Sequence, residues 1–215
     1  MKKKDNRKSG ELETIRKNID SIDEKIQLLI NDRARLAKEI GLTKNKKGSS
    51  TDFYKPERES DVIKSVIHRN DGPLSNDEMV RLFREIMSAC LAQQEPLKIG
   101  FLGPEGTFTQ SAVFKHFGHS VKGLPFGLID EVFQEVEAQT ADFGVVPIEN
   151  STEGTVNNTL DMFVTSPLKI CGEIELKIEH HLLGKMKDIR KIHRICAHEQ
   201  ALAQCRSWVR EYLSH

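Results

Sequence analysis

A glycine-rich turn within residues 99–112 contains residue types that bind anions. The stretch IGFLGPEGTFTQSA runs from an apolar strand pattern through Gly103-Pro104 and Gly106-Thr107 into a helical pattern. At such a strand-to-helix turn the first N–H groups of the helix are exposed and bind negatively charged groups. A tight turn without a ligand explains a single Gly-x-x-Gly spacing equally well. The turn therefore needs support from other motifs before a ligand is assigned to it.

A second set of candidate anion-binding residues lies on the first predicted helix. Apolar residues recur at steps of three and four along 12–40, which predicts a helix with one buried stripe, too long for a small monomer to cover. Arg33 replaces an apolar residue in that stripe, where a buried cation costs on the order of several kcal/mol unless it meets an anion. Lys44 returns to within about 20° of the same face, whereas Arg16 points about 100° away and could reach only a partner's pocket. A coiled coil with one polar residue that sets its register remains an alternative.

Two further helices are predicted before Pro96. Pro56 suits a first helical turn, the NDGP sequence at 70–73 ends that helix, and SNDE at 75–78 is a capping box that opens the next one. The first half therefore predicts three helices and no strand. The residues expected inside the two shorter helices are Val62, Ile63, Val66, Ile67, Met79, Leu82, Phe83, Ile86 and Cys90.

Beyond Pro96, strand and helix patterns alternate, which predicts an α/β fold with ligands at the carboxyl ends of its strands. Strands are expected at 97–103, 142–150, 169–178 and 193–198. Helices are expected at 109–117, 128–139, 155–164 and 200–213, the last with Leu202, Cys205, Trp208, Val209 and Tyr212 directed inward.

Composition excludes several classes of function. The 215 residues are 30% charged with a formal net charge of zero, so neither nucleic acid nor an anionic membrane is expected as a partner. The basic residues 1–10 predict a disordered tail, and no apolar run indicates a signal peptide or a membrane span. Four cysteines without paired spacing favour a cytoplasmic protein with reduced thiols. The histidines fit no zinc spacing, so no metal is expected; they include His180, His181, His193 and His198.

Several separated motifs in the first half occur in the order typical of one helical enzyme family. The stretches IRKNIDSIDEKIQLLINDRARLAKEIGLTK, PERE and LFREIMSACLAQQ resemble the all-helical chorismate mutase family over residues 11–95. The resemblance implies an intertwined homodimer that rearranges chorismate to prephenate without a cofactor. It also implies a site of six residues: Arg33 and, from across the dimer, Arg16 for the two carboxylates, Arg58 for added charge, Glu59 for the substrate hydroxyl, and Lys44 and Gln94 for the ether oxygen. Lys55 and Cys90 depart from the family pattern, in which an acidic residue and, in some members, a serine are expected.

These residue types suit a Claisen rearrangement. The reaction needs no nucleophile and no proton transfer, but it needs a dianion held in a folded shape and hydrogen-bond donors at the breaking ether bond. Arginine binds carboxylates with two parallel hydrogen bonds, which lysine cannot do. A purely structural helical dimer would have no reason to add a second arginine across the chains.

The second half resembles the prephenate dehydratase domain over residues 98–215, through KIGFLGPEGTFTQSA, VVPIENSTEGTV and HEQALAQC. The resemblance implies two α/β lobes, similar to periplasmic binding proteins, with prephenate in the cleft. The anion at the glycine turn would then be a substrate carboxylate. The substrate-binding residues it implies are Gly106, Thr107, Glu149, Asn150, Ser151 and Gln204.

The Thr-Arg-Phe motif of that family is absent from the 215 residues, and Ala197 and Glu199 replace a serine and a proline of its usual pattern. The resemblance thus implies a dehydratase domain that is incomplete at its C-terminus and inactive, without a regulatory domain. Together the two halves resemble bifunctional enzymes of phenylalanine synthesis. The alternative is a non-catalytic module that binds prephenate or a related aromatic acid on a helical dimer.

Overall fold

A computed structural model describes residues 2–46, 54–150, 154–185 and 188–213. The longer helices are α1 (Lys2–Lys46), α2 (Pro56–Arg69), α3 (Asn76–Leu91), α4 (Phe108–Phe117), α5 (Ile129–Glu137) and α6 (Asn157–Thr165), followed by a 3-10 turn at Ile189–Lys191, α7 (Glu199–Gln204) and α8 (Arg206–Tyr212). The strands are β1 (Lys98–Leu102), β2 (Lys122–Phe126), β3 (Phe143–Val145), β4 (Glu149–Asn150) and β5 (Gly154–Thr155).

The chain divides into two compact units. The helical unit consists of Met1–Leu97 together with His116–Lys122, and the α/β unit consists of Lys98–Lys115 together with Gly123–His215. A short segment from the second half of the sequence therefore belongs to the helical unit.

Helix α1 has 45 residues and begins at Lys2, within the stretch that predicted a disordered tail. Its apolar stripe is exposed within the chain: Ile15, Ile19 and Ile26 are 55%, 50% and 48% exposed. Near its C-terminal end Gly41 is buried against Gln94, which follows α3. No helix among the described residues combines the length and the apolar character that a membrane span requires.

The start signals predicted for α2 and α3 are confirmed. Pro56 opens α2, and the Ser75 hydroxyl accepts a hydrogen bond from the Glu78 N–H at 3.2 Å while the Glu78 carboxylate accepts one from the Ser75 N–H at 3.2 Å. The predicted inward direction of Leu82 and Ile67 is wrong, because these side chains are 43% and 40% exposed. Two short helices packed on each other bury a narrow strip, and side chains at its margin stay in solvent.

The segment His116–Lys122 lies against α3 within the helical unit. The His119 ring contacts Glu85 at 2.8 Å, and the Ser120 N–H donates to the Ser88 hydroxyl at 3.3 Å. Gly118 has a φ of +76°, and a Cβ there would lie 2.5 Å from the Ser88 Cβ. The turn thus requires glycine both for its backbone conformation and for its close approach to α3.

The α/β unit is built on a three-stranded sheet in the order β2-β1-β3, with β1 and β3 parallel and Ile99 opposite Phe143. Ile99 and Phe101 of β1 are fully buried, and α5 packs on this sheet. Sequence reasoning missed β2, because Gly123 and Pro125 are unusual inside a strand. Proline is tolerated at a sheet edge, which is the place that β2 occupies.

The strands predicted at 169–178 and 193–198 are wrong: the structure assigns no strand to either stretch. Alternate residues 174, 176 and 178 are nevertheless half-buried between exposed neighbours, as the pattern predicted. A strand needs a neighbour to accept and donate its backbone hydrogen bonds, and none of the described residues pairs with these stretches.

The helix predicted at 200–213 is divided at Cys205 into α7 and α8. Three side chains that we expected inside, Leu202, Trp208 and Tyr212, are instead 38%, 41% and 53% exposed. Periodicity identifies an apolar face of a helix, but it does not supply the layer that covers that face.

We expect Gly118→Ala to lower the free energy of unfolding by about 1–3 kcal/mol more than Gly154→Ala does. Both glycines have a φ near +75°, but only a Cβ at 118 meets a neighbour within 4 Å. Urea unfolding followed by circular dichroism measures the difference. Equal losses in the two variants would mean that the contact with Ser88 contributes nothing.

Candidate functional site

Two arginines on α1, Arg16 and Arg33, have no acidic partner among the residues that the structure describes. Arg16 is exposed and Arg33 is half-buried, and neither forms an ion pair with any described residue. Arg35, two residues further along, pairs with Asp32 on the same helix. Arg33 is therefore a partly desolvated cation that can accept an anionic ligand.

Arg16 and Arg33 are separated by 17 residues of one continuous helix. At 1.5 Å per residue this places them about 25 Å apart along the axis, so the two cannot bind one small molecule within the same chain. Lys44 also lies in α1, but its side chain lies outside the described part of the structure.

Glu59 on α2 is paired with Arg84 on α3. The Arg84 Nε donates to the Glu59 Oε1 at 3.4 Å, and the two side chains are 24% and 16% exposed. Arg58, beside Glu59, is exposed and has no ion pair with the residues that the structure describes. Sequence reasoning missed Arg84 because the two partners lie 25 residues apart on different helices, and no local spacing links them.

Gln94 follows α3 and packs on α1. A Cβ at Gly41 would lie 2.8 Å from the Gln94 Cγ, so the absence of a side chain at 41 lets the glutamine approach. The Gln94 Oε1 is buried and has no hydrogen-bond partner among the described residues. Buried polar atoms are normally hydrogen-bonded, so this amide is suited to a ligand or to a side chain from elsewhere.

Titratable groups of His116–Lys122 also lie close to these helices. The pKa of His116 lies below its ordinary value, chiefly because the ring is removed from water. The Glu59 carboxylate acts in the opposite direction and raises this pKa, and the Arg84 guanidinium lowers it further. Burial raises the pKa of Glu85, but its hydrogen bonds with His119 and the charge of that ring outweigh burial, so the pKa lies below its ordinary range.

In the α/β unit the polar groups of the glycine turn form hydrogen bonds with neighbouring residues of the same segment. Gly106 has a φ of +83°, and its N–H donates to the Gln110 Oε1 at 2.7 Å. The Thr107 hydroxyl donates to the Leu102 carbonyl and accepts from the Gln110 N–H, each at 3.4 Å. The side-chain oxygen of Gln110 thus occupies the place of an anion, and a bound carboxylate would have to displace it.

Gln204 lies close to the start of α4, although it is almost a hundred residues away in sequence. Its side-chain oxygen contacts the His180 Nε2, and the His180 ring lies 6.0 Å from the ring of Phe108, which directly follows Thr107. Sequence reasoning assigned no ligand-binding role to His180, and its spacing carries no signal that would have done so.

The remaining predicted substrate-binding residues lie on a two-stranded hairpin. Glu149 is exposed and pairs with Thr155, and Asn150 pairs with Gly154. The Asn150 side chain and the whole of Ser151 lie outside the described residues. The fully buried Thr159 of α6 donates a hydrogen bond to the carbonyl of Pro147, just before the hairpin, at 2.7 Å. This bond connects α6 to the segment that leads into β4. No contact among the described residues joins Glu149 to Gln204.

The described residues contain no group of three or more histidine, cysteine or acidic side chains placed to hold a metal ion. All four cysteines are free, with Cys90 buried and Cys171 exposed. The candidate site residues described above carry guanidinium, ammonium, amide, hydroxyl and carboxylate groups.

Comparison with known protein families matches the two halves of the sequence to two different families. The family model described as Chorismate mutase type II matches residues 15–95, and the one described as Prephenate dehydratase matches residues 99–215. The chain therefore belongs to the prephenate dehydratase family and carries, ahead of that domain, a domain of the chorismate mutase type II family. Both resemblances inferred from the sequence motifs are confirmed.

Several relatives carry the name "Bifunctional chorismate mutase/prephenate dehydratase". The protein of Stutzerimonas stutzeri is 54% identical over 205 residues, which cover 94% of this chain and 56% of the relative. That of Pseudomonas aeruginosa PAO1 is 53% identical, with 93% and 56% covered, and that of Aquifex aeolicus is 44% identical, with 94% and 57% covered. The chain thus spans a little over half the length of these relatives.

The low pKa of His116 predicts a pH dependence of stability. Because the unfolded chain takes up a proton near its ordinary pKa of about 6.5 and the folded chain only at lower pH, acidification favours unfolding there. His116→Phe keeps a ring of similar size but cannot titrate. We expect its free energy of unfolding to fall less between about pH 7.5 and about pH 5.5 than that of the unmodified chain, as measured by urea unfolding. Parallel pH profiles would contradict the assignment.

Proposed function

We propose that the helical unit is a chorismate mutase and that the whole chain belongs to phenylalanine biosynthesis in the cytoplasm. The observation that carries the proposal is Arg33: a half-buried cation without an ion pair among the described residues, inside the segment matched by the mutase family. The names of the relatives and the free cysteines, which suit a reducing compartment, support it.

The substrate is a dianion, and different residues of the site bind its carboxylates, its hydroxyl and its ether oxygen. Arg33 and Arg16 bind the two carboxylates, and the exposed Arg58 adds positive charge. Glu59 accepts the ring hydroxyl. Lys44 and the buried amide of Gln94 donate to the ether oxygen, on which negative charge grows as the bond breaks. Holding the dianion folded brings the two reacting carbons together, and neither a cofactor nor a metal takes part.

The active form that we propose is a homodimer built on α1. The exposed Ile15, Ile19 and Ile26 give each chain an apolar stripe that a second copy can cover. The distance of about 25 Å between Arg16 and Arg33 supports the same arrangement, because Arg16 can then serve the site of the partner subunit. The proposed partners are the two small-molecule substrates and a second copy, with neither nucleic acid nor membrane.

For the α/β unit we propose binding of prephenate in a two-lobed dehydratase fold similar to periplasmic binding proteins. A substrate carboxylate replaces the Gln110 oxygen at Gly106 and Thr107, while Gln204 is held close by through His180. The exposed hairpin supplies the other binding residues, Glu149, Asn150 and Ser151. The 215 residues contain no Thr-Arg-Phe motif, so we propose that they bind prephenate without dehydrating it.

The purified 215-residue chain should consume chorismate and accumulate prephenate without forming phenylpyruvate. Loss of chorismate absorbance follows the first step, and the absorbance of phenylpyruvate in alkali follows the second. Formation of phenylpyruvate would contradict the proposed inactivity of the dehydratase half. A chain that leaves chorismate unchanged would contradict the mutase assignment and favour a module that only binds aromatic acids.

Arg16→Ala and Arg33→Ala should each lose about 10²–10³-fold in kcat as pure proteins, because each removes one charged donor from every site. After unfolding and refolding together in equal amounts, they should regain about a quarter of the unmodified activity, since half of the dimers then hold one intact site. Arg35→Ala, which removes an exposed arginine paired on its own helix, is the matched control and should stay active. No recovery in a mixture that forms mixed dimers would rule out a site shared between subunits.

A further inference from the structure

The ion pair between Glu59 and Arg84 differs from the contact between Glu85 of α3 and His119. Its side chains are only 16% and 24% exposed, whereas those of Glu85 and His119 are 40% and 69% exposed. It also joins two helices, α2 and α3, whereas Glu85 and His119 join α3 to the segment His116–Lys122. A pair that is largely removed from water holds its geometry more firmly than an exposed one, because breaking it leaves a charge without compensation.

The contact engages only one side of the carboxylate. The Arg84 Nε donates to the Glu59 Oε1 at 3.4 Å, and the Glu59 Oε2 forms no hydrogen bond with the described residues. A carboxylate has lone pairs on both oxygens. Arg84 therefore fixes the position of Glu59 and leaves its second oxygen able to accept a hydrogen bond from a ligand.

We propose that Arg84 is a positioning residue for the mutase reaction: it holds Glu59 so that Oε2 accepts the ring hydroxyl of the substrate. This inference rests on the proposed function of the helical unit. Arg84 does not touch the substrate itself. Without it, the Glu59 side chain could take other rotamers, and the hydroxyl would no longer be held where the dianion folds correctly.

The test compares two substrates in the 215-residue chain: chorismate and a chorismate analogue that lacks the ring hydroxyl. We expect Arg84→Met to lower kcat/KM for chorismate by about tenfold to hundredfold and to change it less than about twofold for the analogue. Arg84→Lys should lose less on chorismate, since it keeps the charge but not the planar guanidinium. Arg81→Met, an exposed arginine less than one turn away on α3, is the matched control and should leave both substrates unaffected.

A double variant separates the role of Arg84 from a general loss of stability. Glu59→Gln alone should reduce turnover of chorismate, and adding Arg84→Met should reduce it by no more than about a further factor of two, because the second residue acts through the first. Circular dichroism checks that each variant is folded. If Arg84→Met does not fold, Arg84→Lys is compared on the two substrates in its place.

Equal losses on chorismate and on the analogue would overturn the role of Arg84, since a structural defect affects both substrates alike. Independent, multiplying losses in the double variant would overturn it as well. These results leave the proposed function intact, because the unmodified chain still turns over chorismate. Absence of turnover by the unmodified chain would instead overturn the proposed function, and the role of Arg84 with it.

Discussion

The difference in length between α1 and its neighbours α2 and α3 determines how much of α1 can be covered within one chain. α1 has 45 residues, whereas α2 has 14 and α3 has 16, so at 1.5 Å per residue α1 is about 65 Å long and its neighbours at most about 25 Å. They can cover only a part of it, and most of its apolar stripe stays in solvent. Burying one such Ile or Leu side chain stabilises by about 1.5–3 kcal/mol, so a continuous row of them strongly favours association with a matching surface.

Charge in this unit is distributed unevenly between its helices. The carboxylate of Glu59 is compensated inside the chain by Arg84, whereas the arginines at 16, 33 and 58 have no acidic partner among the described residues. The surplus of unpaired cations is suited to a ligand with more than one negative charge. The compensated carboxylate is suited to a hydroxyl, because a paired carboxylate still accepts hydrogen bonds on its second oxygen.

In the α/β unit the buried core is confined to the small sheet and the helix that packs on it. Three strands with α5 form a buried core around Ile99 and Phe101, while residues 169–185 have no regular secondary structure and α7 and α8 stay short. At the glycine turn, the Gly106 N–H already donates a hydrogen bond to the side-chain oxygen of Gln110. Ligand binding at this turn therefore exchanges one hydrogen bond for another, and the ligand gains chiefly from its charge.

Signals that act over a few residues could be read from the sequence: the stripe of α1, the proline and the capping box that open α2 and α3, the glycine turn, and both family resemblances. These depend on backbone geometry and on neighbours within one or two turns. Only the tertiary structure decided which helix compensates Glu59, that Gly118 must fit against Ser88, and that β2 forms while two predicted strands do not. Each of these depends on what distant parts of the chain bring into contact, and a buried charge, a close approach or a strand is stable only when that partner is present.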